Sequence, residues 1–307
     1  MNVDALRAFL VITETGSFST AARQLHLTQP AVSKRIALLE SQLGARLFER
    51  TGRSVSLTEA GDELAPRAKQ ILLSIEDSKR AIHNLSGRVS GTLSLATSHH
   101  IGLWRLPPLL REYAAHHPQV SLDLHFMDSV VANELVLQGK LELAIATLAP
   151  APDEPDERLR SVPIWDDRLV FVVASDHPLA AFDTVTLAQL ADHTAILPDL
   201  STYTGRIVKQ LFDTRGLQLQ VAMSTNYLET VKMLISIGLG WSVLPCTMLD
   251  EGTHALQLPD LAINRTLGYL HHAGRTLSNA AKAFLQLVEL HRDPCFTEKG
   301  VVDHPFR

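Results

Sequence analysis

Residues 17–61 read SFSTAARQLHLTQPAVSKRIALLESQLGARLFERTGRSVSLTEAG, and this stretch decides the fold of the N-terminal part of the chain. Ser17 is suited to accept a hydrogen bond from the free N–H groups of the helix FSTAARQL, where Ala21 and Ala22 are small enough for another helix to approach closely. A short turn at His26-Leu27 follows. Thr28 caps the next helix, and Pro30 sits in its first turn, where a missing N–H costs nothing. That helix runs to about Leu43, with Val32, Ile36, Leu39 and Leu43 on one buried face. The opposite face shows Gln29, Ser33 and Lys34, with Thr28 near the start. These are short or forked polar groups suited to base edges, on a helix whose positive N-terminus would point at DNA. Upstream, Leu6, Phe9, Leu10 and Thr13 lie on one face of a first helix that Gly16 ends. Downstream, ARLFERTGRSVSLT reads as two short strands around a Thr-Gly-Arg turn, with Arg46, Arg50 and Arg53 in reach of phosphates or the minor groove. The reading is a winged helix-turn-helix with the start of its third helix in the major groove, although helix-turn-helix spacing also occurs in bundles that bind no DNA.

The same run resembles, nearly end to end, the signature of the LysR-type transcriptional regulators, FSxAAxxLxxxQPAVSxxIxxLExxLGxxLFxR followed by LTxAG. The resemblance implies that Gln29, Pro30, Ser33, Lys34 and Arg35 belong to the recognition helix, that Arg50 and Arg53 lie around the wing, and that Gly44, Leu47 and Phe48 are structural. Ser17 and Thr28, at the helix starts, complete the candidate DNA-binding set. The implied partners are double-stranded DNA carrying an imperfect inverted repeat in a promoter, RNA polymerase, and further copies of the chain in a dimer or tetramer. No cofactor is implied beyond a small-molecule effector.

From Thr58 to about Leu85 the chain reads as one long helix, with Thr58 as cap and Glu59, Asp62 and Glu63 in the early turns, where the helix dipole favours them. Leu57, Leu64, Ile71, Ser78 and Leu85 recur every seven residues, and Gly61, Ala68, Ile75 and Ile82 sit four further on. Such a seam needs a partner. Packing on its own domain is one reading; pairing between subunits through Leu64, Ile71, Ile75 and Ile82 is the one the resemblance implies. Pro66 inside this helix predicts a local kink.

Beyond the break at 84–91, strands alternate with helices in two successive runs, which argues for an α/β protein in two lobes with a parallel sheet covered on both faces. The resemblance extends here, more loosely, to LysR effector domains of the periplasmic-binding-protein type. The expected organisation is a DNA-binding domain at 1–58, a linker helix at 59–88, an effector domain at 89–293 and a frayed tail at 294–307. Lobe one is expected at about 91–162 and 268–292, and lobe two at about 163–267. Ligands of open α/β folds sit beyond the carboxyl ends of strands, where helix N-termini offer free N–H groups. Strand ends therefore nominate Thr97, Ser98, His99, His100, Asp128 and Thr147 from lobe one. Ser201, Thr202, Tyr203, Asn226 and Tyr227 are the nominees from lobe two. Hydroxyls and amides at helix starts favour a small organic anion, although Ser98 and Thr202 are equally readable as plain caps. Arg206 is open between a ligand contact and the surface. The His99-His100 pair invites a metal reading, but adjacent side chains diverge and no ligand cluster accompanies them, so a ligand-contacting histidine is preferred and no metal is expected.

Bulk numbers agree with this division. The 307 residues are 46% hydrophobic and 20% charged, enough for about two domains. The charge is asymmetric: residues 1–90 hold 12 basic and 9 acidic side chains, whereas the remainder holds 16 and 24. A positive unit on an acidic body suits a phosphate-binding module joined to something else. No apolar run reaches the ~18 residues of a membrane span, and MNVDALRAFLVITETG lacks the pattern of a secretory signal, so a cytoplasmic protein is expected. Cys246 and Cys295 have neither disulfide nor zinc spacing and read as buried or idle thiols. No GxSxG, P-loop, GxGxxG or HExxH appears, so no catalytic residue is assigned. The rival reading is a cytoplasmic solute-binding module with an N-terminal domain that does not bind DNA.

Overall fold

The computed structural model describes residues 2–51, 54–149, 156–259 and 261–294. The chain divides into two compact units, 1–86 and 87–307.

The first unit holds α1 (Val3–Thr15), α2 (Phe18–Gln24), α3 (Gln29–Leu43), β1 (Phe48–Thr51), β2 (Ser54–Leu57) and α4 (Glu59–Asn84). Its helix starts are fixed by side-chain caps: Ser17 accepts from the Thr20 N–H, Thr28 from that of Ala31 and Thr58 from that of Gly61. Phe9, Phe18 and Phe48 pack at centroid distances of 5.3 and 5.6 Å around Phe48. Full burial of each such ring is worth about 1.5–3 kcal/mol. The Leu47 N–H donates to Glu40 Oε1 at 2.8 Å, tying the end of α3 to the wing, and Thr58 Oγ donates to the Arg46 carbonyl at 2.6 Å. Leu43, expected on the buried face, is exposed, because Gly44 ends the helix before anything packs over that turn.

The expected heptad seam on α4 divides in two. Ala68 is fully buried, and Leu64 and Ile71 pack against the core of their own unit. A Cβ at Gly61 would stand 2.3 Å from the Leu47 carbonyl oxygen, so the helix start sits directly on the wing. Further along, Ile82 and Leu85 are 70% and 85% exposed. The helix runs through Pro66 without a break in its assignment.

The second unit starts with β3 (Gly91–Thr97), α5 (His99–Trp104), α6 (Leu106–His116), β4 (Val120–Phe126), α7 (Ser129–Leu137) and β5 (Leu143–Thr147). It continues with β6 (Leu159–Ala174), α8 (Leu187–Ala191), β7 (Ala195–Leu197), α9 (Tyr203–Asp213), β8 (Val221–Ser224) and α10 (Leu228–Ser236). It closes with β9 (Ser242–Pro245), β10 (Thr253–Ala255), β11 (Ile263–His272) and α11 (Asn279–Leu290). The main sheet runs β10-β6-β11-β5-β3-β4, with β9 also on β6. Strands β3, β4 and β5 are parallel, so their carboxyl ends emerge on one side; the sheet as a whole is mixed rather than parallel, because β11 runs antiparallel to β5 and β6, and β9 and β10 run antiparallel to β6.

Two strands serve both lobes. Although Pro163, Asp166 and Asp167 interrupt its apolar pattern, β6 runs unbroken from Leu159 and pairs with β11 along the full length of β11. The register slips between Leu267 and Gly268, opposite Trp165 and Pro163. On one side of that bulge lie β3, α6 and α11 around Tyr113 and Phe284. On the other, α8 and α9 pack around Trp241, whose ring stacks on Phe212 at 5.5 Å. Helix α5 starts directly at the end of β3, and Arg105 divides it from α6. Cys246 is an exposed free thiol rather than a buried one, while Cys295 and the rest of the expected tail beyond 294 lie outside the described residues.

Candidate DNA-reading face and effector cleft

On the first unit, Gln29 and Lys34 are exposed and Ser33 is half-buried. Gln29 Nε2 donates to Ser33 Oγ at 3.1 Å, so the two side chains form one polar unit on the first turns of α3. Thr28 and Ser17 are caps, and Pro30 occupies the first turn of α3, exposed. Arg35 leans toward α1, with Nη2 3.8 Å from Asp4 Oδ2. Arg46 is exposed beside the wing. Arg53 and the side chain of Arg50 lie outside the described part of the chain.

On the second unit, a cleft opens where the carboxyl ends of β3, β4 and β5 face the start of α9. It holds about 470 Å³ of free space, counted out to the open solvent. The nominated residues that line it are Ser98, His100, Asp128, Thr147, Thr202, Tyr203 and Asn226. Four nominees stand elsewhere. Thr97 is buried within β3, and Ser201 and Tyr227 are exposed. His99 turns outward onto Phe126 and Tyr227, at 5.2 and 4.8 Å. Arg206, left open by the sequence, lies over the Tyr203 ring at 5.0 Å and donates to the Ser201 carbonyl.

Polar contacts join the two sides. Asn226 Nδ2 donates to Asp128 Oδ2 at 2.8 Å while its Oδ1 accepts from the Asp199 N–H. Asn133 Nδ2 donates to the Tyr203 hydroxyl at 2.9 Å, and Trp104 Nε1 to Glu229 Oε1 at 3.0 Å. Thr202 caps α9 by accepting from the Gly205 N–H. The N–H groups of Tyr203 and Thr204, in the first turn, have no intrahelical acceptor.

Sequence reading missed the cation at the floor. Arg265, on β11, lines the cleft with its side chain 7% exposed. Its Nε donates to Asp167 Oδ2 at 2.7 Å and its Nη1 to Thr204 Oγ1 at 3.0 Å; Nη2 makes no hydrogen bond among the described residues. Arg105 Nη2 approaches the other oxygen of Asp167 at 4.0 Å. Beside them His100, 4% exposed, has a buried Nδ1 without a hydrogen-bond partner among the described residues. Burial, and after it the Arg265 charge, pushes the His100 pKa down to about 4, so the ring is neutral near pH 7. No local motif marks Arg265. Its partner Asp167 is 98 residues away, and only the β6–β11 register brings the two together.

Comparison with known proteins now decides the identity. Residues 3–62 match the bacterial regulatory helix-turn-helix protein, lysR family, and residues 86–292 match the LysR substrate binding domain. The chain belongs to the LysR family. It is a DNA-binding transcription regulator with an effector-binding domain, and not an enzyme. The rival solute-binding reading is not favoured, because the N-terminal unit matches a regulatory DNA-binding family. An HTH-type transcriptional regulator from the ibpB-leuC intergenic region of Azotobacter vinelandii is 65% identical over 108 residues, covering 35% of this chain and 75% of that protein. The RuBisCO operon transcriptional regulator of Allochromatium vinosum is 29% identical over 288 residues, 92% of this chain and 94% of that one. Among solved structures, the effector binding domain of QuiR in complex with shikimate aligns with a TM-score of 0.59 at 20% identity, over 66% of this chain and 97% of that domain. Among the described residues no helix is long and apolar enough to cross a membrane.

Proposed function

We propose that a small organic anion, bound in the cleft of the second unit, sets the state in which this LysR-family regulator holds DNA. The observation that carries the reading is the buried Arg265, whose Nη2 makes no hydrogen bond among the described residues, on a cleft floor that both lobes line. A buried guanidinium with an open donor favours an anionic guest, because the charge-assisted bond forms where little water competes. The effector binding domain of QuiR, whose fold the second unit shares, is in complex with shikimate.

At the other end, Gln29 and Ser33 read base edges while Lys34 and the wing arginines contact phosphates. The chain pairs with a second copy through the bare distal part of α4, where Ile82 and Leu85 are exposed. A two-fold pair of α3 helices then reads two half-sites, so the target is an imperfect inverted repeat. The protein works in the cytoplasm, where it meets RNA polymerase at promoters. Effector binding shifts the population of subunit arrangements and so changes which half-sites are held together. The test is melting temperature against a panel of organic acids with chelator present. A dose-dependent rise with at least one acid is expected; no rise across the panel contradicts the effector assignment.

A further inference from the structure

We infer that the cleft selects a small monocarboxylic acid carrying a hydroxyl or amino group, and discriminates against dicarboxylates and plain alkyl acids. The inference rests on the cleft being the effector site and adds which acid it takes.

Three features of the cleft lead there. First, it has one positive corner. Tyr203 and Thr204, in the first turn of α9 where backbone N–H groups lack intrahelical acceptors, line it, and the cap Thr202 is neutral. Thr204 Oγ1 accepts from Arg265 Nη1, which ties the Arg265 guanidinium to that helix start. The facing helix α7 also begins on the cleft, but its N-cap position is taken by Asp128, whose carboxylate answers the helix dipole. One carboxylate is therefore welcomed, at the α9–Arg265 corner.

Second, the remaining polar groups call for a hydrogen-bonding substituent. The neutral His100 carries an unpartnered Nδ1 in the floor. Asp128, with one oxygen engaged by Asn226, is the acceptor on the opposite wall. A hydroxyl or ammonium group satisfies such neighbours. A second carboxylate meets Asp128 with like charge instead, and an unsubstituted alkyl chain leaves buried polar groups without partners. Third, the apolar lining is confined to Val130, Pro198 and Leu228, which offers no channel for a long chain.

Matched acids test the proposal on the full chain: propionate, lactate, alanine and malonate, then the same four types at four to seven carbons, by calorimetry and ligand-observed NMR. The best hydroxy or amino acid is expected to bind about tenfold or more tighter than its unsubstituted parent and than the dicarboxylate of equal length. Which of the two substituted series binds tells a hydroxyl from an ammonium. Arg265→Gln strands the buried Asp167 and is liable to unfold, so the variant of choice is the isosteric Asp128→Asn. It is expected to raise dicarboxylate affinity about tenfold or more and to weaken the substituted acid that uses Asp128 as its acceptor, a reversal of selectivity that loss of structure does not produce. Dicarboxylates or plain acids binding wild type as tightly as the substituted acids overturns the proposal and leaves the effector cleft standing. Failure of every acid to bind overturns both.

Discussion

Replacing Gly205 by Ala sets two opposed effects against each other. Gly205 is the third residue of α9, and Ala there gains about 1 kcal/mol of helix propensity. Against this, a Cβ at 205 would lie 2.2 Å from the Asp199 carbonyl oxygen, 2.8 Å from Leu200 Cα and 2.9 Å from the Asp199 carbonyl carbon, all backbone atoms. The loop has little freedom to retreat. The Asp199 N–H donates to Asn226 at 2.8 Å, and the Asp199 carbonyl accepts from both the hydroxyl and the N–H of Thr202 at 2.7 and 2.9 Å. Overpacking costs about 1–3 kcal/mol and occasionally more, and contact with three fixed atoms belongs at the upper end of that range. The clash wins, for a net loss of about 1–3 kcal/mol. At roughly 2–4 °C per kcal/mol for a domain of this size, the melting temperature falls by several degrees. Trp241, stacked on Phe212 of α9, supplies the fluorescence signal for a thermal scan. Unchanged or raised stability in Gly205→Ala refutes the steric argument and, with it, the placement of the α9 start over this loop.

Other perturbations follow from the same geometry. Lys34→Ala is expected to weaken DNA binding at every sequence and reduce the slope of log affinity against log salt by about one, whereas Gln29→Ala relaxes base preference; equal effects on specific and random DNA from Gln29→Ala contradict its role. Phe9→Ala, in the centre of the first unit, costs about 3–5 kcal/mol in denaturant titration of that unit, and a loss below about 1 kcal/mol disagrees with its burial. His100, with a pKa of about 4 when folded and 6.5 as its ordinary value, is protonated first in the unfolded chain as pH falls. Its contribution is full above pH 6.5 and is lost toward pH 4, on the order of 3 kcal/mol at the acid end. Wild type should therefore lose stability over this window relative to His100→Asn, and parallel curves for the two proteins speak against a buried neutral ring.

The N-terminal unit was legible because its determinants are local. Ser17, Thr28 and Thr58 each cap the helix that follows within three residues, and Gly16 and Gly44 end the helices just before them with positive φ. The cleft was legible in part for the same reason: Thr202 caps α9, and Asp128 sits where β4 gives way to α7. What escaped is what only register and long-range pairing decide. Arg265 and Asp167 sit on different strands, in segments that read as ordinary charged breaks in an apolar pattern. His99 and His100 are neighbours in sequence, but the first turn of α5 sends one outward and the other into the floor. On α4 a single seven-residue repeat covers two environments, since Leu64 and Ile71 find their partners at home while Ile82 does not. Periodicity shows that a face is apolar without showing what covers it.

The central claim links the cleft to DNA. It is tested most directly by DNase footprinting of the full chain on the intergenic DNA upstream of its own gene, with and without the acid that raises its melting temperature. Protection of an inverted repeat whose extent changes when that acid is added is the predicted result. Binding no tighter than to random DNA at equal salt, or a footprint identical with and without the acid, contradicts the account.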